Sequence, residues 1–352
     1  MAYYISGIQQ MGIGVPDVNK MFAFYRKAFG NDIKIFEEAA QAPLMINYTG
    51  GTIHSRTATM AINMNGGGGF EIWQFTSRGT EKATFDIQLG DTGLFATRIK
   101  CKDVKAQFED YKKKGIATLN EPCLTPGGEF HFFLHDPNGN LFEVVEGKDW
   151  FSNDKHLCGG VAGSMIGVSD IDKALSLYSG ILGYDKVEYD VTGTFEDLNM
   201  IPGGNRKFRR VLLSHRDARK GPFSQLLGAT RIELIQLTEE KGRKIFGNRY
   251  WGDWGFIHLC FDVRNMDELK SACEKAGYPF TVDSGSSFDM GEAAGRFSYI
   301  EDPDGTLIEF VETHKLPILK KLGWYLNLKK RNAEKALPHW MLRTLRFSRV
   351  KD

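Results

Sequence analysis

The stretch Asp302-Pro303-Asp304-Gly305-Thr306-Leu307-Ile308-Glu309-Phe310-Val311-Glu312 has a near twin at Asp136-Pro137-Asn138-Gly139-Asn140-Leu141-Phe142-Glu143-Val144-Val145-Glu146. Asp-Pro-Asp/Asn-Gly is a turn signal, because Pro presets its φ and Gly suits the exit. A strand with period-2 alternation follows, with Leu307, Glu309 and Val311 on one face and Ile308 and Phe310 on the other. A carboxylate between two aliphatic neighbours is costly to bury unless something pairs it. An arginine, a water or a metal ion would each serve, and the spacing alone does not choose among them.

Composition narrows the class. A chain of 352 residues, 42% hydrophobic and 25% charged, predicts about two globular domains with sizeable cores. A net charge of +1 gives the chain as a whole no bias toward nucleic acid. Residues 1–7 carry no basic, apolar leader pattern, and no run is long enough to span a membrane. Five cysteines (Cys101, Cys123, Cys158, Cys260, Cys273) with no Cys-x-x-Cys predict reduced thiols and a cytoplasmic protein.

Working outward from the twin turns, the chain repeats itself. Ile8–Val15 reads as a strand and Pro16-Asp17 starts a helix, with Val18, Met21, Phe22, Tyr25 and Phe29 at helical spacing before Gly30. Strands follow to Phe75, and Gly66–Gly69 between them reads as a plain hairpin turn. Asp17/Asp170, Tyr25/Tyr178 and Gly30/Gly183 are each 153 residues apart. Glu71/Glu233, Asp103/Asn265 and Gly115/Gly277 are each 162 apart, and Glu143/Glu309 are 166 apart. Such steady offsets mean an internal duplication. Each half again holds two strand–helix–strands units, at 8–76 and 93–146 and at 159–237 and 255–312. This divides the chain into residues 1–149, 150–313 and a C-terminal extension, 314–352. One helix leaves a small curved sheet with a bare face, so the units must pair.

The first strands with their Asp17…Tyr25 and Asp170…Tyr178 helices, and the Asp-Pro-x-Gly…Glu ends, resemble the vicinal-oxygen-chelate superfamily of glyoxalase I, extradiol dioxygenases and bleomycin-resistance proteins. The resemblance covers residues 8–312 and implies an α+β fold of four βαβββ modules paired into two open β-barrels. It also implies metal ligands on the first and last strands of each module. The first-strand positions hold Gln10, Ala96, Gly163 and His258, and the last-strand positions hold Glu71, Glu143, Glu233 and Glu309. Gln10, Glu71, His258 and Glu309 make the glyoxalase I set for one divalent ion; their nitrogen and oxygen donors suit Zn, Ni, Co, Mn or Fe(II). The resemblance then implies Glu309 as principal base or ligand with Glu71 opposite, moving a proton between neighbouring carbons of a small substrate through an enediolate. Two departures argue against glutathione as co-substrate: Gly14 and Trp254 stand where glyoxalase I has arginines, although Arg206 to Arg210 offer other anion holders. The alternatives are an iron-dependent extradiol dioxygenase, which would need a histidine at Gly163, and a metal-free small-molecule binder of the bleomycin-resistance type.

Pairing decides between these. If the first module joins the fourth, Gln10, Glu71, His258 and Glu309 share one barrel, and a silent pocket lies near residues 96, 143, 163 and 233. Neighbour pairing would separate Gln10 from His258. The duplicated glyoxalases are exchanged, and exchange is the expectation here. The extension, counted from residue 313, holds eleven Lys/Arg and two acids, a charge of +9 that leaves −8 on the rest. Leu319, Leu322, Trp324, Tyr325, Leu326, Leu328, Trp340, Leu342, Leu345 and Phe347 are interleaved with those charges. It reads as a basic amphipathic helix, either packed across the acidic barrels, the preferred reading, or touching a membrane surface.

Overall fold

The computed structural model describes residues 2–285, 288–290, 293–319 and 324–351. The first module comprises β1 (Tyr4–Gly14), α1 (Val18–Phe29), β2 (Ile33–Gln41), β3 (Ser55–Ile62) and β4 (Gly69–Phe75). The second comprises β5 (Gly93–Cys101), α2 (Val104–Lys114), β6 (Cys123–Leu124), β7 (Phe130–His135) and β8 (Leu141–Glu146). The third holds β9 (Cys158–Gly167), α3 (Ile171–Tyr178), β10 (Lys186–Gly193), β11 (Phe208–Ser214), the short α4 (Ser224–Leu227) and β12 (Arg231–Leu237). The fourth holds β13 (Gly255–Arg264), α5 (Met266–Lys275), β14 (Val282–Asp283), β15 (Phe288–Met290), β16 (Ala293–Glu301) and β17 (Leu307–Leu319).

Local chemistry starts and stops the helices. Asp17, Asp103 and Asp170 accept hydrogen bonds from the backbone N–H three residues on, closing α1, α2 and α3 at their N-termini. Gly30 and Gly115 end α1 and α2 in the left-handed region, at φ 71° and 65°.

The modules are exchanged. One sheet runs β14-β16-β17-β13-β1-β4-β3-β2 and joins the fourth module to the first. The other runs β10-β11-β12-β9-β5-β8-β7-β6 and joins the third to the second. The break in sequence near residue 149 therefore marks the repeat; each curved sheet draws on both halves. The joints are antiparallel, β1 against β13 and β5 against β9. All four module helices contribute to one buried apolar core, where Tyr25, Phe29, Phe70 and Phe142 pack ring on ring.

Gly66–Gly69 does more than turn a hairpin. Gly67 N–H donates to the Leu226 carbonyl, and Gly68 and Val161 exchange a pair of backbone bonds between the two sheets. A Cβ on Gly67 would meet the Gly160 backbone, which is why glycine is needed where two main chains touch.

The extension is only partly helical. β17 runs on through residue 313 and pairs with β18 (Trp324–Asn327), and the remaining helix is the short α6 (His339–Arg343). Leu328, Leu337 and Leu342 bury against Ile33, Met60 and Ile62 of the first module, as the packed reading expects. Arg264 donates to the Thr313 and Leu328 carbonyls, and Arg349 pairs with Asp32 and Asp154. Leu322 lies outside the described residues, as do the side chains of Leu319 and Trp324. No helix among the described residues is long and apolar enough to cross a membrane.

Candidate metal centre

Strand register brings Gln10, Glu71, His258 and Glu309 onto one concave face. Gln10 stands opposite Cys260 and Gly12 opposite His258. Glu71 lies beside Gly12 on the parallel neighbour β4, and Glu309 beside Cys260 on β17. His258 Nε2 is 3.3 Å from Glu71 Oε2 and 3.1 Å from Glu309 Oε2. The Gln10 amide nitrogen is 3.1 Å from Glu71 Oε2 and 3.4 Å from Glu309 Oε2. One ligand atom from each of Glu71, His258 and Glu309 falls within 4.8 Å of the others. His258 Nε2 is buried without a properly directed hydrogen bond: it faces the space between the two carboxylates. Burial and the facing Glu71 raise the Glu309 pKa, and the neighbouring imidazole opposes them. Burial works against charging His258, yet Glu309 and Glu71 outweigh it and raise its pKa.

Sequence reasoning missed Tyr299. It lies opposite Glu309 on β16, and its hydroxyl is 3.3 Å from His258 Nδ1. Trp251 stacks on the imidazole, with centroids 6.1 Å apart and planes 18° apart, and packs edge-on to Trp73 at 4.3 Å. A tyrosine ten residues before a strand glutamate is too common a spacing to have stood out.

The sister barrel answers the same problem differently. The expected silent pocket is filled. Ala96 and Gly163 do occupy the positions equivalent to His258 and Gln10, but Arg98 reaches in between the glutamates. Its Nε is 2.9 Å from Glu143 and its Nη1 3.4 Å from Glu233. Arg210 bonds Glu233 at 2.8 Å and Asp197 at 2.9 Å; His131 Nδ1 sits 2.8 Å from Glu143; Tyr189 donates to Glu233 at 2.7 Å. Burial would raise the Glu143 pKa, but Arg98, His131 and Arg210 bring it down to about 2. In the first barrel, by contrast, no Lys or Arg among the described residues pairs with Glu71 or Glu309; their one ion-pair partner is His258. The buried Glu309 and the half-buried Glu71 around an orphaned imidazole nitrogen fit a divalent ion. The Gln10 amide can present its oxygen by rotating about its last side-chain bond.

Neither position where glyoxalase I has an arginine carries one here. A Cβ on Gly14 would run into the Asp253 carbonyl, so no side chain fits there. Trp254 donates to the Asn138 carbonyl and carries Lys82 over its ring. Arg206 and Arg210 belong to the sister barrel, where Glu240, Glu233 and Asp197 engage them; the expectation that they hold a substrate anion at this site is therefore wrong.

Fold and site together define a duplicated protein of exchanged βαβββ modules in two barrels, with one candidate metal centre among the described residues. The chain belongs to the Glyoxalase/Bleomycin resistance protein/Dioxygenase superfamily, whose sequence model it matches over residues 7–144 and 160–310. Among solved structures, glyoxalase I from Zea mays is similar at a TM-score of 0.53 and 17% identity, over 88% of this chain and 92% of that one. A putative dioxygenase from Bacillus subtilis is similar at a TM-score of 0.52 and 17% identity, over 88% of this chain and 86% of that one. These likenesses establish the fold. No curated protein is detectably similar in sequence.

Proposed function

We propose that this protein is a metal-dependent lyase or isomerase of the glyoxalase type, acting on a small substrate with two neighbouring oxygens. The observation that carries this reading is the contrast between the barrels: an arginine neutralises Glu143 and Glu233, and among the described residues no cation but His258 reaches Glu71 and Glu309. Gln10, Glu71, His258 and Glu309 would hold the ion. Once bound, it would polarise both substrate oxygens and spread the charge of an enediolate. Glu309 takes a proton from one carbon and returns it to the next, with Glu71 facing it, so no oxidant is needed. Tyr299 orients the imidazole through Nδ1, and Trp73 and Trp251 keep water from that wall. Glutathione is disfavoured, since neither arginine position offers a guanidinium.

Protein purified without chelators should carry close to one divalent ion per chain, and Glu71→Ala and His258→Ala should lose it. Wild-type protein that stays metal-free after loading sinks the proposal and favours a metal-free binder. The dioxygenase reading draws on the likeness to the B. subtilis protein. Exchange puts Gln10 rather than a second histidine on the strand paired with that of His258, so a two-histidine, one-carboxylate triad is not formed among the described residues. Oxygen uptake by iron(II)-loaded protein with catechols would reverse that judgement.

A further inference from the structure

The C-terminal extension turns two faces outward and inward. Leu328, Leu337 and Leu342 are buried against the first module, and His339 bonds the Phe151 carbonyl. Residues 339–348 form helical turns, and from these Trp340 and Phe347 project at 61% and 79% exposure, the two most exposed large hydrophobic side chains among the described residues. They are seven residues apart, with the exposed Arg343 and Arg346 between them, on a turn of α-helix over residues 339–343 that tightens to 3-10 helix over 344–348. Lys329, Lys330, Lys335, Arg343, Arg346 and Lys351 are also exposed, and none has an ion-pair partner among the described residues. The segment's one described acid, Glu334, is already taken by Lys220 at 2.9 Å.

We propose that this outward face is a peripheral docking surface for anionic lipid, with Trp340 and Phe347 entering the headgroup layer and the free cations meeting the negative surface. Aromatic rings set among unpaired cations on short helical turns that Leu342 anchors to the first module suit a lipid interface, where apolar burial and charge attraction act together. Charge distribution favours a membrane over an extended polyanion. The segment carries +9 and the rest of the chain −8, so a nucleic acid long enough to run off this face meets repulsion, whereas a flat surface touches the basic face alone. The inward leucines fix the segment to the folded protein, so docking requires no unfolding.

Flotation of the full chain with vesicles of phosphatidylcholine and phosphatidylserine tests this, against vesicles of phosphatidylcholine alone. The protein should float with the anionic vesicles at low salt, remain in solution with the neutral ones, and be released by high salt. Trp340→Ala/Phe347→Ala should weaken partitioning about tenfold or more, and Arg343→Glu/Arg346→Glu by a similar factor. Neither pair of residues belongs to the inward cluster, so thermal unfolding should be unchanged. Failure to float with the anionic vesicles, flotation of both double variants equal to that of the wild type, or tight binding of a single-stranded oligonucleotide without vesicle binding overturns the proposal. Metal content is independent of every arm, so this result and that of the metal centre separate.

Discussion

Gly12 and His258 face each other across β1 and β13, and a Cβ at residue 12 would lie 2.5 Å from His258 Nε2. The sister barrel reverses the sizes at the same register: Met165 stands opposite Ala96. The imidazole needs the volume that glycine leaves, as close-packed interiors demand. Gly12→Ala should displace the ring and lower metal affinity about 10–100-fold, the range of orienting contacts in metal sites; competitive chelator titration of folded protein reads it. Unchanged affinity would mean that the ring position is not what holds the ion. In the sister barrel, burial resists charging His131, but Cys123 and Glu143 outweigh it and push its pKa from 6.5 to about 9. The folded protein thus binds the proton more tightly than the unfolded chain. That stability is whole below pH 6.5 and is lost as pH rises through 9, by about 3 kcal/mol. Urea midpoints from pH 6 to 10 should show this decline, and His131→Gln should flatten it.

At the scale of elements, the residues that betray the repeat turn out to tie modules of different barrels. Tyr25 on α1 donates to Asp136 in the second module's turn at 2.7 Å, and Tyr178 on α3 donates to Asp302 in the fourth module's turn at 2.9 Å. Each aspartate also accepts backbone N–H groups of its own turn, Asn138 and Asn140 or Asp304 and Thr306. One buried carboxylate therefore shapes the turn and fastens a helix from the other barrel. Tyr25→Phe keeps the stacked rings and removes only the hydroxyl. It should cost about 1.5–3 kcal/mol, the range for a hydrogen bond to a charged group, read as a lower urea midpoint with an unchanged slope. No loss of stability would show that water replaces the tie.

Across the whole molecule, each barrel needs both halves of the chain. Residues 1–149 alone leave the β1 and β5 edges without β13 and β9, and unpaired edges seek partners. Expressed separately, residues 1–149 and 150–352 should aggregate or self-associate. Together they should form a one-to-one complex that unfolds cooperatively, as size-exclusion chromatography and calorimetry would show. A monomeric, folded 1–149 would contradict this dependence.

Periodicity, caps and turn chemistry determined the four modules from the sequence alone, because these are local preferences of a few residues: Asp17, Asp103 and Asp170 as caps, Gly30 and Gly115 as stops, the Asp-Pro-x-Gly turns. Alternation put Glu309 and His258 on concave faces for the same reason. What paired the carboxylates was not local. Arg98 and Glu143 are 45 residues apart, and Arg98 and Glu233 are 135 apart. Register alone could reveal that a guanidinium fills one barrel while the other leaves His258 Nε2 facing two carboxylates. Tyr299 joined the site, and Arg206 and Arg210 left it, through the same cross-strand packing. Burial and charge balance depend on what surrounds a side chain in space, and exchange between the two halves of the chain set those surroundings.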